Sequence, residues 1–351
     1  MPHPLFGTRI IAAPMAGGTS TPAFVRAVHA SGGLGFLAAG YKGVEAMQAE
    51  IGTLRASGAR FGMNVFVPDP AHLDPSPALV AQLEEYRSRL RADAARYGAE
   101  VPPLRLDDDD AWQGKIDVLL ADPVELVSFA FGLPGTAVVR ALQRAGSAVV
   151  ATVTTPSEAL AAVDQGVDAL VVQHAGAGAH SAAFQKAGGG SGGGGQEAGT
   201  PGTTAELVAL VRSAVGLPLV AAGGVMDRNG LDAVLAAGAE AAQLGTALLR
   251  SDESGARQLH KDALASPHFT RTRLTSAFTG RKARALVNEF VSDHADAPEV
   301  YPAVHHLTAP LRAAAAAAGD PERLNLWAGT GWQQAQAGPV ADILAGLLAE
   351  G

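Results

Sequence analysis

The chain has 351 residues, no cysteine, and 26 Lys plus Arg against 34 Asp plus Glu, a formal charge of −8. The missing thiols exclude disulfides, zinc–cysteine sites, iron–sulfur clusters and cysteine nucleophiles, and the acidic balance argues against a general nucleic-acid surface. A hydrophobic fraction of 48 % excludes whole-chain disorder, and no segment reaches the roughly 18 apolar residues of a membrane span or has the basic start of a signal peptide, so a soluble, cytoplasmic protein is expected.

Short apolar runs alternate with helical patterns from the first residues to about 250. The runs are residues 9–12, 34–37, 61–65, 126–130, 148–152, 169–173, 218–221 and 241–245. None alternates polar with apolar, which is how strands buried on both faces of a parallel sheet read. Helical patterns cover residues 21–31, 138–145, 156–165, 204–215 and 227–237, and Gly146, Gly166 and Gly238 close three of them as C-terminal caps. Eight such strands with intervening helices predict a (β/α)8 TIM barrel over residues 1–251, with an open doubly wound sheet as the competing arrangement.

Two stretches interrupt the pattern. Residues 68–120 form an insertion with a charged helix at about 77–97 and the acidic run 107–110, which reads as a solvated loop or a helix start rather than a metal site. Residues 188–195 are glycine with one serine and read as slack or a mobile loop. From 252 to 351 the barrel pattern is over, and helical pieces at 313–318 and 340–349 predict an appended helical lobe covering the barrel mouth. The basic cluster Arg281, Lys282 and Arg284 reads as a solvated face.

In a barrel of this kind the chemistry lies where strands end. After the first run come Ala13, Pro14, Met15, Ala16, Gly17 and Gly18, small enough for a flat ligand to approach the backbone. The third run carries the amide of Asn64. The sixth ends in Gln173 and enters the loop His174-Ala175-Gly176-Ala177-Gly178-Ala179-His180. His180 is the favoured general base, with the adjacent His174 competing. Gly223 and Gly224 follow the seventh run, and Gln243, Leu244, Gly245 and Thr246 end the eighth. Paired turns of free backbone N–H groups at these two positions suit a phosphate.

The ordered set of these pieces resembles the nitronate monooxygenases, once called 2-nitropropane dioxygenases. The matching segments are residues 13–18, 35–41, 61–66, 127–132, 173–180, 221–224, 243–249, 277–281 and 326–329. The resemblance implies non-covalent FMN contacted by Asn64, Gln173, Gly178, Gly224, Gln243, Leu244, Gly245 and Thr246, with Met15 near the ring, His180 as the catalytic histidine and no metal. It implies oxidation of alkyl nitronates, such as propionate 3-nitronate, or of nitroalkanes by dioxygen, giving a carbonyl compound and nitrite. Tyr301 and His305 would close the pocket. A homodimer is left open.

The loop around His180 departs from the family pattern: Gly176 replaces a glutamate, Ala179 a glycine, Ser181 an arginine, and His174 the first glycine. Three other readings therefore stand beside it. They are an FMN-dependent enoyl reductase fed by NAD(P)H, a flavin-free phosphate-sugar lyase or isomerase, and a non-catalytic flavin-binding relative.

Overall fold

The computed structural model describes residues 2–185 and 201–348. The Gly-rich segment 188–195 lies outside the described residues. Eight parallel strands close into a barrel in the order β1 (Ile10–Ala12), β2 (Leu34–Ala38), β3 (Phe61–Phe66), β4 (Leu126–Ala130), β5 (Ala148–Val153), β6 (Ala169–Gln173), then β8 (Leu219–Ala222) and β9 (Ala241–Leu244). β1 pairs with β9 to close it, Ile11 opposite Gln243. The TIM barrel read from the eight apolar runs is present, with strand ends within a residue of the runs.

The strands are buried on both faces, and period two sorts their side chains. Ile10, Leu37, Met63, Val65, Val127, Phe129, Val149, Val172 and Leu244 point out and meet the helices. Ile11, Leu34, Phe36, Leu126, Val150, Ala169, Val171, Val220 and Ala241 point in and fill the barrel floor together with Phe6. Moving up the inner face, the residues turn polar: Asn64, Ser128, Thr152, Gln173 and Gln243. Gln173, Ala222 and Gln243 lie in register across neighbouring strands. A floor of hydrocarbon thus carries a ring of amides and hydroxyls at its carboxyl-end rim.

The lobe is helical and also contains a small antiparallel sheet. Strand β10 (Thr272–Thr275) pairs with β11 (Ala283–Leu286), and β11 pairs with β7 (Ala179–His180) from the barrel loop, placing Ala283 opposite His180. The helix Pro77–Ala95 of the insertion buries Leu83, Tyr86 and Leu90 against Phe278, Phe290, Val304 and Leu311, so insertion and C-terminal segment share one apolar core. A buried ion network ties the same two stretches: Asp93 accepts from His294 Nε2 at 2.8 Å and Arg323 Nε at 3.1 Å.

Two charged runs differ from their sequence reading. Asp108 accepts from His306 Nε2 at 2.7 Å, and Asp110 pairs with fully buried Lys115 at 2.7 Å. The run therefore leads into the helix Trp112–Ala121 as an anchored turn, in line with the helix start and not with the solvated loop of the sequence reading. In the basic cluster, Lys282 is exposed, but the Arg281 guanidinium stacks 4.0 Å over Phe131 and donates to the carbonyls of Ser181 and Ala183. Arg284 Nε donates to Ala175 O at 2.8 Å. Both arginines hold the loop after β6, because a guanidinium can satisfy several carbonyls at once. Among the described residues, no helix is long and apolar enough to cross a membrane.

Candidate active site

The polar rim opens into a cavity of about 290 Å3, far beyond the roughly 10–15 Å3 that one water needs. Rim residues line it together with Arg257, His260, Thr279, His305, Arg312 and Trp327 of the C-terminal segment. Nine of the ten residues expected to be catalytic or to contact FMN line it: Met15, Asn64, Gln173, Gly178, His180, Gly224, Gln243, Gly245 and Thr246; His305 lines it too, and Tyr301 and His174 do not. Leu244 does not. Its side chain is 2 % exposed and packs outward against the helices, as its place between Gln243 and Gly245 on a strand demands.

Backbone geometry makes the cradle at β8 and β9. Gly224 has φ +72°, in the left-handed region that favours glycine. The N–H groups of Gly224, Gly245 and Thr246 have no acceptor among the described residues. Thr246 Oγ1 accepts from Gly329 N at 2.9 Å. Gly178 sits against the same segment, where a Cβ would come within 2.6 Å of Gly329 N. The loops after β6 and β9 and the segment around Gly329 therefore approach at backbone distance.

The rim amides are unequally committed. Asn64 Nδ2 donates to Ser128 Oγ at 2.9 Å, leaving its oxygen for the cavity. Gln173 donates to His180 O at 3.1 Å and accepts from Ala182 N at 2.8 Å, so one amide proton is left over. The Gln243 amide and the Thr152 hydroxyl line the cavity with no protein partner among the described residues.

His180 is held from both sides. Pairing of β7 with β11 fixes its backbone, and its ring packs 5.4 Å from Trp327, 5.5 Å from Phe131 and 5.9 Å from Tyr301. Nε2 lies 2.9 Å from Thr279 Oγ1. The Thr279 hydroxyl donates to Arg281 O, which leaves its oxygen to accept from His180. This arrangement puts the ring proton on Nε2 and a lone pair on Nδ1. Burial, then the charges of Arg281 and Arg312, push His180 down to about 3, so it is neutral at pH 7.

Both arginines act on His180 by charge, but Arg312 lines the cavity whereas Arg281 lies against Phe131. Arg281 is part-buried and Arg312 is 9 % exposed, and neither has a carboxylate within 4.0 Å among the described residues. A buried cation without a counterion is costly and attracts an anion. Arg312 and its partner Asn325 were not legible as site residues, since they stand in the lobe far from any strand end. Tyr41 and Phe131, by contrast, fell within segments matched to the family. Both have positive φ, +66° and +74°, a strain that clusters at ligand sites.

The family profile described as nitronate monooxygenase matches residues 5–350. The chain belongs to the nitronate monooxygenase family. A probable nitronate monooxygenase of Staphylococcus aureus (strain MRSA252) is 33 % identical over 344 residues, covering 97 % of this chain and 93 % of the relative. The crystal structure of a nitroalkane oxidase from Streptomyces ansochromogenes superposes with a TM-score of 0.91 at 46 % identity, over 99 % of this chain and 96 % of that one. FabK from Thermotoga maritima superposes with a TM-score of 0.72 at 24 % identity, over 98 % and 92 %, a likeness that shows the fold. The chain is thus an oxidoreductase acting on nitro compounds, in a family for which flavin dependence is characteristic.

Proposed function

We propose that this protein binds FMN and uses it to oxidise alkyl nitronates, such as propionate 3-nitronate, with dioxygen to a carbonyl compound and nitrite. The observation that carries the reading is the pair Arg281 and Arg312. Two cationic side chains without carboxylate partners flank His180, and a nitronate is an anion.

The residues present fit FMN. The unpaired N–H groups of Gly224, Gly245 and Thr246 suit a phosphate dianion. Gln243 and Thr152 are polar groups without a protein partner inside the cavity, and Asn64 and Gln173 each keep one polar valence free. Together they match the edge of a heterocycle that both donates and accepts. Met15 lines the same space with a soft apolar surface. FMN, when bound, would supply the redox chemistry that couples the substrate to dioxygen.

The chain's own part is to bind, orient and handle a proton. Arg312, which lines the cavity, draws the anion in, and Arg281 adds its charge from its place against Phe131. Phe131, Tyr301 and Trp327 exclude water around His180. With a neutral nitroalkane, the Nδ1 lone pair of His180 takes the α-proton. With a nitronate already formed, His180 serves by position alone.

The test is a spectrum followed by turnover. Purified protein with added FMN should show a bound-flavin spectrum, and propionate 3-nitronate should drive oxygen uptake with nitrite release. Protein that stays colourless with FMN, or flavin bleached by NADPH and untouched by any nitronate, overturns the reading.

A further inference from the structure

Arg312 stands on the helix Ala303–Ala317 and lines the cavity. Its Nε donates to Thr308 Oγ1 at 3.2 Å and its Nη1 to Asn325 Oδ1 at 3.2 Å. Its Nη2 reaches His305 O at 3.3 Å and His305 Nδ1 at 3.2 Å. A guanidinium has donors only and stays charged. His305 Nδ1 is therefore the acceptor, and the ring proton of His305 sits on Nε2.

The ring is fixed by a second contact. It stacks on Tyr41 at 4.1 Å with the planes 6° apart. Tyr41 is held in turn by its backbone N–H, which donates to Asp110 Oδ1 at 2.9 Å, and Asp110 is paired with Lys115. His305 lines the cavity, and its Nε2 has no acceptor among the described residues. A histidine placed for packing alone would spend that proton on the protein. Arg312, His306 and His180 face the ring and disfavour its charge, whereas Asp108 opposes them; with burial as the largest cause, His305 falls to about 2. The cavity thus presents two neutral imidazoles: an open lone pair on His180 and an open N–H on His305.

We infer that His305 is the hydrogen-bond donor to an oxygen of the substrate's nitro or nitronate group, and that Arg312 is the positioning residue that fixes its tautomer and strengthens its N–H. The inference rests on the nitro-compound oxidation proposed above. When His180 Nδ1 takes the α-proton, the C–H electron pair becomes the C=N bond. One N–O π pair moves onto oxygen, and the proton stays on His180 as imidazolium. The nitro group's charge grows on its oxygens, where a neutral N–H donor stabilises the transition state more than the ground state. An imidazolium there would give up its own proton to the nitronate oxygen; a neutral ring polarised by an arginine donates a hydrogen bond and keeps its proton.

Two measurements on the holoenzyme test it. In protein labelled with 15N-histidine, and assigned by loss of signal in His305→Gln, His305 should show the neutral Nε2–H pattern from pH 5 to 8. In Arg312→Met that pattern should give way to mixed tautomers and titration. In kinetics, His305→Phe keeps the stack and loses the donor, so kcat/KM for nitroethane should fall at least tenfold, and further than for its preformed nitronate. His305→Gln should recover part of the loss. A charged or Nδ1–H His305 in the wild type, or kcat/KM unchanged in both variants, overturns the inference. If the wild type oxidises no nitro compound, the proposed function fails and the substrate role of His305 with it, while a neutral Nε2–H pattern lost in Arg312→Met would still establish the positioning role of Arg312.

Discussion

The Nε2 atom of His180 lies 2.9 Å from the hydroxyl of Thr279, and that contact decides which ring nitrogen carries the proton. Thr279→Val keeps the shape and removes the acceptor. The Nε2 proton then has no partner, and the Nδ1–H tautomer, useless as a base, becomes populated. Loss of one hydrogen bond of about 1.4 kcal/mol corresponds to roughly tenfold in rate. kcat/KM for a neutral nitroalkane should fall by about that factor, with little change for the nitronate, which needs no deprotonation. Oxygen-uptake kinetics with both substrates check it; equal losses would mean that Thr279 does not act through the base.

Ala179, one of the departures from the family loop, has φ +62°. An L-residue with a Cβ pays about 1–2 kcal/mol there, and glycine pays a smaller entropic cost in the unfolded chain. Ala179→Gly should therefore stabilise the protein by about 0.5–1 kcal/mol, read as a higher urea midpoint at unchanged slope. The same change loosens the backbone next to His180, so turnover should stay level or drop while stability rises.

Three histidines are held neutral by burial: His180 at about 3, His260 at about 4 and His305 at about 2. Each folded value lies below the unfolded 6.5, so between the two the unfolded chain binds protons that the native state does not. Stability must rise with pH in that window and be lost as pH falls from about 6.5, by at most about 1.4 kcal/mol per pH unit for each proton. Thermal melts should be level from pH 8 to 7 and drop between pH 6.5 and 5, before ordinary carboxylates titrate. His260→Gln should flatten that drop, since its ring proton is spent on Trp327 O at 2.9 Å and an amide can donate there instead.

The barrel was legible because every one of its strands is buried on both faces, which writes an uninterrupted apolar run into the sequence. The rim was legible for the same reason: Asn64 and Gln173 are polar residues inside such runs. The lobe's contribution was not. Arg312 looks like any helical arginine, and only the fold places its side chain beside His305 and Asn325 at the cavity. The strands β7, β10 and β11 were missed because they are only two to four residues long, and in β10 Arg273 and Leu274 face solvent. Arg281 and Asp110 were read as surface charges since sequence counts a charge without showing the carbonyl or lysine that meets it.

Gln243 separates what the fold needs from what the ligand needs. Its amide lies on the inner face of β9 beside Leu244 and has no partner among the described residues. An unpaired polar group in a part-buried site costs stability until something binds it. Gln243→Leu fits the same strand, removes that cost and offers FMN nothing in return. The apoprotein variant should therefore melt no lower than wild-type apoprotein. Its affinity for FMN, titrated by quenching of flavin fluorescence, should weaken about tenfold, the loss of one good hydrogen bond. A variant that melts markedly lower and binds FMN as the wild type does would assign Gln243 to the fold and remove it from the cofactor site.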